Sequence, residues 1–126
     1  PYGDGRPERL LVKGDDVETG PQAATPLALI FHELATNSAK YGALACEDGT
    51  ICIEIARQKE GREELRVTWH ETMEAVSDPL DSQREGFGSR LLRMAVESQL
   101  GGRFERTLAD EGLTVDLVFP VDKLVP

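Results

Sequence analysis

Long apolar runs are missing from this sequence, and so is any excess of basic charge. No stretch approaches the ~20 apolar residues of a membrane-spanning helix, so a helical span is not expected. Lys and Arg number 14 against 23 Asp and Glu, a formal net charge of −9. A surface of that sign repels phosphate backbones and anionic lipid, which argues against nucleic acid and against membrane contact. It also repels a free nucleotide at long range, so a nucleotide site here needs a local positive group and a divalent cation. Cysteine is scarce. Cys46 and Cys52 lack metal-ligand spacing and are expected to be reduced thiols of a cytoplasmic protein. There is no G-K-[ST] and no third glycine, so neither a Walker loop nor a dinucleotide fingerprint is present. A basic, apolar-centred leader is not expected either. Residues 1–9, with their prolines and glycines, are expected to be a linker from an upstream domain that this chain does not include.

What remains is a chain of 126 residues, 40% hydrophobic, which suits one domain spanning 1–126. No internal repeat or low-complexity tract interrupts it. Leu10-Leu11-Val12, ended by Gly14-Asp15-Asp16, reads as an early or edge strand. Gly20-Pro21 and Pro26 bracket a helix start, with Thr25 as N-cap and Pro26 in the first turn. Leu27, Ile30, Phe31, Leu34, Ser38 and Tyr41 then recur at three- and four-residue steps, a buried helical stripe ended by Gly42. Ile51, Ile53 and Ile55 alternate as a half-buried strand does, and Leu65, Val67 and Trp69 repeat the pattern after a turn at Lys59–Arg62. Residues 72–85 have no period and read as a long loop. A second helix is expected from about Ser89 to Leu100, stopped by Gly101-Gly102. Strands near Arg103–Thr107 and Leu113–Phe119 close the chain. The order predicts an α+β two-layer sandwich: a mixed, mostly antiparallel sheet with the helices packed on one face.

Two polar groupings stand out. Glu33, Asn37 and Lys40 form one stripe on the first helix, roughly 100° from the apolar stripe at 3.6 residues per turn, which is the rim of the core. An amide oxygen suits a hard cation such as Mg²⁺, and an ammonium suits phosphate. A solvated flank with an ordinary Glu33–Asn37 contact satisfies the same spacing, and His32 beside it fits a core-edge histidine. The second grouping is Gly86-Phe87-Gly88-Ser89, just before a helix, where glycine lets a backbone approach a ligand and free N–H groups favour phosphate. Arg90 adds a cation. Flexible turns before helices use glycine as well.

The run His32-Glu33-Leu34-Ala35-Thr36-Asn37-Ser38-Ala39-Lys40-Tyr41-Gly42-Ala43-Leu44 closely resembles the N-box of histidine kinases, in particular the HWE and related HisKA2 class. Trp69-His70-Glu71 matches the W-x-E signature of that class, and Gly86-Phe87-Gly88-Ser89-Arg90-Leu91-Leu92 resembles its second glycine box. The three occur in the family's order, and the resemblance covers residues 10 to 120 or so.

The resemblance implies the Bergerat ATP-binding fold and, with it, ATP and Mg²⁺ as ligands. Asn37 would ligate the Mg²⁺ bridging the phosphates, and Glu33 would polarise the incoming imidazole. Lys40 would lie near the phosphates and Tyr41 would line the pocket, partly as core. Glu71 would replace the aspartate that reads the adenine amino group, since a carboxylate accepts its hydrogen bond. Backbone around Gly86 and Gly88, with Phe87, Ser89 and Arg90, would close over the phosphates; His32 marks the class.

The γ-phosphoryl group would pass to a histidine on a separate dimerisation and phosphoacceptor domain, and from there to a response-regulator aspartate. The isolated domain would be a monomer, and the full-length protein a dimer. One departure is plain: the family follows W-x-E with paired glycines, and here Thr72-Met73-Glu74 stand in their place. The alternative is therefore a degenerate, non-catalytic module that docks a response regulator.

Overall fold

The structure is a computed structural model that describes residues 10–15, 18–59, 61–73, 87–109 and 112–124. Five strands and two helices form the framework: β1 (Leu10–Gly14), α1 (Pro21–Tyr41), β2 (Thr50–Gln58), β3 (Glu64–Thr72), α2 (Phe87–Arg93), β4 (Arg103–Ala109) and β5 (Gly112–Pro120). The sheet order is β1-β2-β3-β5-β4. β1 runs parallel to β2, as the intervening helical crossover requires, and every other pair is antiparallel. The expected mixed, mostly antiparallel sheet is the one observed.

Side-chain alternation decides which face is covered. On β3, Leu65, Val67, Trp69 and Glu71 are buried while Arg66 and His70 are exposed. Cross-strand register aligns these with Ile51 and Ile53 on β2 and with Val115, Leu117 and Phe119 on β5. Against that face pack Ala23, Ile30 and Leu34 of α1, and Leu92, Ala95, Val96 and Leu100 of the second helical segment. Phe119 is 0% exposed at the centre. Burying a side chain of that class contributes roughly 1.5–3 kcal/mol.

Both helices depart from their sequence boundaries. α1 begins at Pro21, with Gly20 as its cap and Pro26 inside it, rather than at Thr25-Pro26. Its first turn closes on the Gly20 carbonyl, which accepts from Ala23 and Ala24 at 3.1 and 3.2 Å. The Gly20 N–H donates to the Leu124 carbonyl at 2.6 Å, so the far end of the chain sets where the helix starts. Pro21 suits the first helical position because its missing N–H would have no partner there. Burial then follows the row Pro26, Ile30, Leu34, Ser38 and Gly42, whereas Tyr41, expected partly in the core, is 46% exposed. The inward position of the last turn goes to Gly42, which leaves Tyr41 facing outward.

The second helix starts at Phe87, two residues before the expected Ser89, and from Met94 to Gln99 it widens into a π-helix. Glycine lowers helix propensity without forbidding helix, so the glycine content hid the boundary. The Leu100 N–H donates to Ala95 at 3.2 Å, and that of Gly102 donates back to Val96 at 2.8 Å across Gly101, whose φ is +65°. This is a glycine-closed helix end, widened by the π winding. The Arg93 guanidinium lies 5.7 Å from the Phe104 ring centroid, tying this segment to β4.

Candidate functional site

The polar stripe of α1 lies where its spacing placed it. Glu33 and Asn37 are half-buried one turn apart, Lys40 is exposed one turn further on, and His32 is exposed beside them. Ile30 and Leu34 on the neighbouring row are buried, so the stripe sits at the rim of the core. Lys40 in the last turn of the helix matches the sign of its dipole there, while the first turn carries no acidic residue.

Glu71 has the most constrained geometry. It is the inward residue near the end of β3, 1% exposed, and its carboxylate is met by three donors. Oε1 accepts from the Ser38 hydroxyl and from the Ala43 N–H, both at 2.8 Å. Oε2 accepts from the Trp69 indole N–H, also at 2.8 Å. Ser38 in turn accepts from the Leu44 N–H at 3.0 Å, so its own proton is committed to Glu71. Trp69 is 3% exposed, and its ring packs tilted against Phe31 with centroids 6.3 Å apart. Among the described residues no lysine or arginine pairs with this carboxylate. Three neutral donors satisfy it, out of roughly four positions at which a carboxylate accepts.

Gly42 completes the arrangement. A Cβ at that position would lie 2.2 Å from Glu71 Oε1, so only glycine lets the turn after α1 close over the carboxylate. The Gly42 N–H donates to the Ser38 carbonyl at 2.9 Å, ending the helix where the network begins.

Sequence spacing and structure agree on the stripe, and the structure puts Glu71 near the same end of α1. Gly86, and residues 74–86 generally, lie outside the described residues. The backbone of Phe87, Gly88 and Ser89 forms the first turn of α2 rather than a loop ahead of it, and Arg90 is exposed. His70 faces away from Trp69 on the open side of the sheet, with Nδ1 2.7 Å from the Thr114 hydroxyl. Ser38, Gly42 and the donor role of Trp69 went unrecognised in the sequence. The available signal was a hydroxyl on an apolar stripe, because a buried hydroxyl needs a partner.

A group of three or more His, Cys, Asp or Glu able to hold a metal is absent among the described residues. Asn37 and Glu33 instead offer one neutral and one charged oxygen on a single face. The Asn37 oxygen, as a single protein ligand, fits a Mg²⁺ ion that keeps waters and arrives with its phosphates, because Mg²⁺ commonly takes only one or two protein ligands. It does not fit a metal caged by protein alone.

No family model matches the chain. It is 34% identical over 112 residues to a blue-light-activated histidine kinase of Rhizobium johnstonii, covering 89% of this chain and 32% of that protein. It is 35% identical over 122 residues to blue-light-activated histidine kinase 1 of Erythrobacter litoralis, covering 96% and 33%. The chain thus spans about a third of the length of these relatives. Among solved structures, the histidine kinase domain of the Erythrobacter litoralis EL346 blue-light-activated histidine kinase superposes with a TM-score of 0.68 at 23% identity, covering 91% of this chain and 52% of that one. The nucleotide-free catalytic domain of histidine kinase ThkA superposes at 0.63 and 17% identity, covering 90% and 80%. At these identities the superpositions establish the fold.

Proposed function

By sequence this chain belongs with the histidine kinases and by fold with their catalytic domains; from that premise we propose that residues 1–126 are an ATP-binding catalytic domain of the HWE class. In this reading the domain binds ATP with Mg²⁺ and supplies the γ-phosphoryl group to a histidine on a separate dimerisation and phosphoacceptor domain, for relay to a response-regulator aspartate. The observation that carries it is the half-buried pair Glu33 and Asn37 at the core rim, one turn apart and at the same end of α1 as the buried Glu71.

Asn37 presents its amide oxygen to Mg²⁺, which when bound neutralises phosphate charge. Glu33 takes up the proton of the incoming imidazole, and Lys40 lies beside the phosphates. Tyr41 flanks them, and His32 stays at the edge. Glu71 reaches the adenine amino group through at most its one remaining acceptor position. Gly86, Phe87, Gly88, Ser89 and Arg90 close over the phosphate tail. Such catalysis is positioning and charge neutralisation around the transferred group. The domain works in the cytoplasm, as a monomer when isolated and within a dimer at full length. No helix among the described residues is long and apolar enough to cross a membrane.

Titration with a non-hydrolysable ATP analogue, with and without Mg²⁺, tests this. Saturable, Mg²⁺-dependent binding that Asn37→Ala weakens supports it, and absence of binding even at millimolar nucleotide removes it. A second reading, a degenerate module docking a response regulator, draws on one observation. Met73, standing where the family has glycine, is 5% exposed, so a bulky side chain is buried just past the end of β3. That reading expects no nucleotide binding but retained regulator binding.

A further inference from the structure

We infer that Glu71, Trp69, Ser38 and Gly42 form a positioning clamp that fixes the end of α1 carrying Asn37 to the end of β3. The inference rests on the reading of Asn37 as a Mg²⁺ ligand and assigns to Ser38, Trp69 and Gly42 a part in its geometry.

Hydrogen-bond direction is the first support. The Leu44 N–H donates to Ser38, Ser38 donates to Glu71 Oε1, and the Ala43 N–H donates to the same oxygen. Neither amide can reverse its role, and Ser38 can turn only by abandoning Leu44. On the other oxygen Trp69, two residues back on the same strand, holds the carboxylate in place. The second support is the absence of slack. The Gly42 backbone is so close that a methyl group would stand 2.2 Å from Oε1. The network therefore admits one placement of residues 38–44, and Asn37 directly precedes them.

Stability alone does not account for this carboxylate. It is buried with no cationic partner among the described residues, beside a helix C-terminus whose dipole is negative. A buried charge exchanged together with its side-chain partners for apolar groups is often replaced without loss. What an apolar group cannot supply is an oxygen, held from the other side of the carboxylate by Trp69, that accepts from both Ser38 and Ala43 and so dictates where they must lie. With them the azimuth of the last helical turn is set, and the Asn37 amide is presented in one direction rather than over a range.

The test is the gain in affinity that Mg²⁺ gives to a non-hydrolysable ATP analogue, measured on wild type, Ser38→Ala and Trp69→Phe at a temperature where circular dichroism shows each folded. Neither substituted side chain is placed against the ligand. Removing a group that orients a metal ligand typically weakens metal-dependent binding by roughly tenfold or more. Both variants are expected to lose that much of the Mg²⁺ gain, read as the ratio of affinities with and without Mg²⁺, whatever change a shift of Glu71 makes to metal-free binding. Thr68→Val, which deletes a hydrogen bond to Asp116 elsewhere on the sheet, is expected to keep the full gain.

A merely structural role would lower the melting midpoints and leave the Mg²⁺ gain intact. That result, in either folded variant, overturns the clamp while leaving nucleotide binding in place. A wild type that binds no nucleotide overturns both. Should Ser38→Ala fail to fold, Trp69→Phe, which deletes only the donor on the other oxygen, decides by the same ratio.

Discussion

The side chain at position 71 must accept hydrogen bonds on both of its outer atoms, and Glu71→Gln tests that requirement with almost no change in volume. An amide carries an oxygen on one side and an NH₂ on the other. With the NH₂ toward Trp69 it faces the indole N–H across 2.8 Å, and flipped it faces the Ala43 N–H across 2.8 Å. In the second orientation Ser38 can turn its proton away and accept from the NH₂, but the Ala43 N–H still faces a donor. Either way two N–H groups oppose one another in a site where the residue is 1% exposed. Each buried group left unsatisfied costs about 1–3 kcal/mol. Removing a buried charge offsets part of this, so the net destabilisation is about 2 kcal/mol. For a domain of this size that corresponds to a melting midpoint lower by roughly 8 °C. Thermal and urea unfolding of the two proteins, followed by circular dichroism, measure it. A Glu71→Gln protein as stable as wild type, or more stable, would refute the premise that both sides of the site demand an acceptor.

Three further outcomes follow from the same structure. Gly42→Ala drives a methyl group into Oε1 and is expected to cost about 1–3 kcal/mol by urea unfolding. Adding Glu71→Asp, whose shorter side chain withdraws from the clash, should recover part of that loss, and an additive double variant contradicts the contact. Phe119→Ala empties a fully buried core site on β5, opposite Leu65 of β3, and is expected to cost about 3–5 kcal/mol, with little change in the slope of the unfolding curve. Lys13 is held above the ordinary lysine range by its hydrogen bond to Glu54, then by the Glu54 charge and by Cys52. Its contribution is therefore present below the ordinary lysine value and lost as pH rises through the raised one. Because the pair is exposed, Lys13→Met should shift the neutral-pH midpoint only slightly, and that small difference should vanish in high salt or at strongly alkaline pH.

Strands, and the polar stripe of α1, were legible because their causes are local. Ile51, Ile53 and Ile55 alternate, and so do Leu65, Val67 and Trp69, and a period of two leaves a strand only one way to bury its apolar face. Glu33 and Asn37 read as a rim pair because one turn of helix separates them. The start of α1 was not legible. Thr25-Pro26 is a sound local capping signal, yet the helix begins at Gly20-Pro21, because a backbone bond from Gly20 to Leu124 anchors it there. Periodicity also could not foresee the π winding of Met94–Gln99, since it keeps Ala95, Val96 and Leu100 buried as an α-helix would.

Position 71 marks the division between the two sources of information. From the sequence alone came the element types, the sandwich architecture, and a carboxylate two residues beyond a tryptophan at the end of a strand. Only the tertiary structure revealed that Ser38 and Ala43, separated from Glu71 by 33 and 28 residues, supply donors to it, and that Gly42 is glycine to make room. Periodicity specifies which way a side chain points along its own element. What it meets there depends on how two elements are brought together by packing across the core, and no local pattern carries that distance.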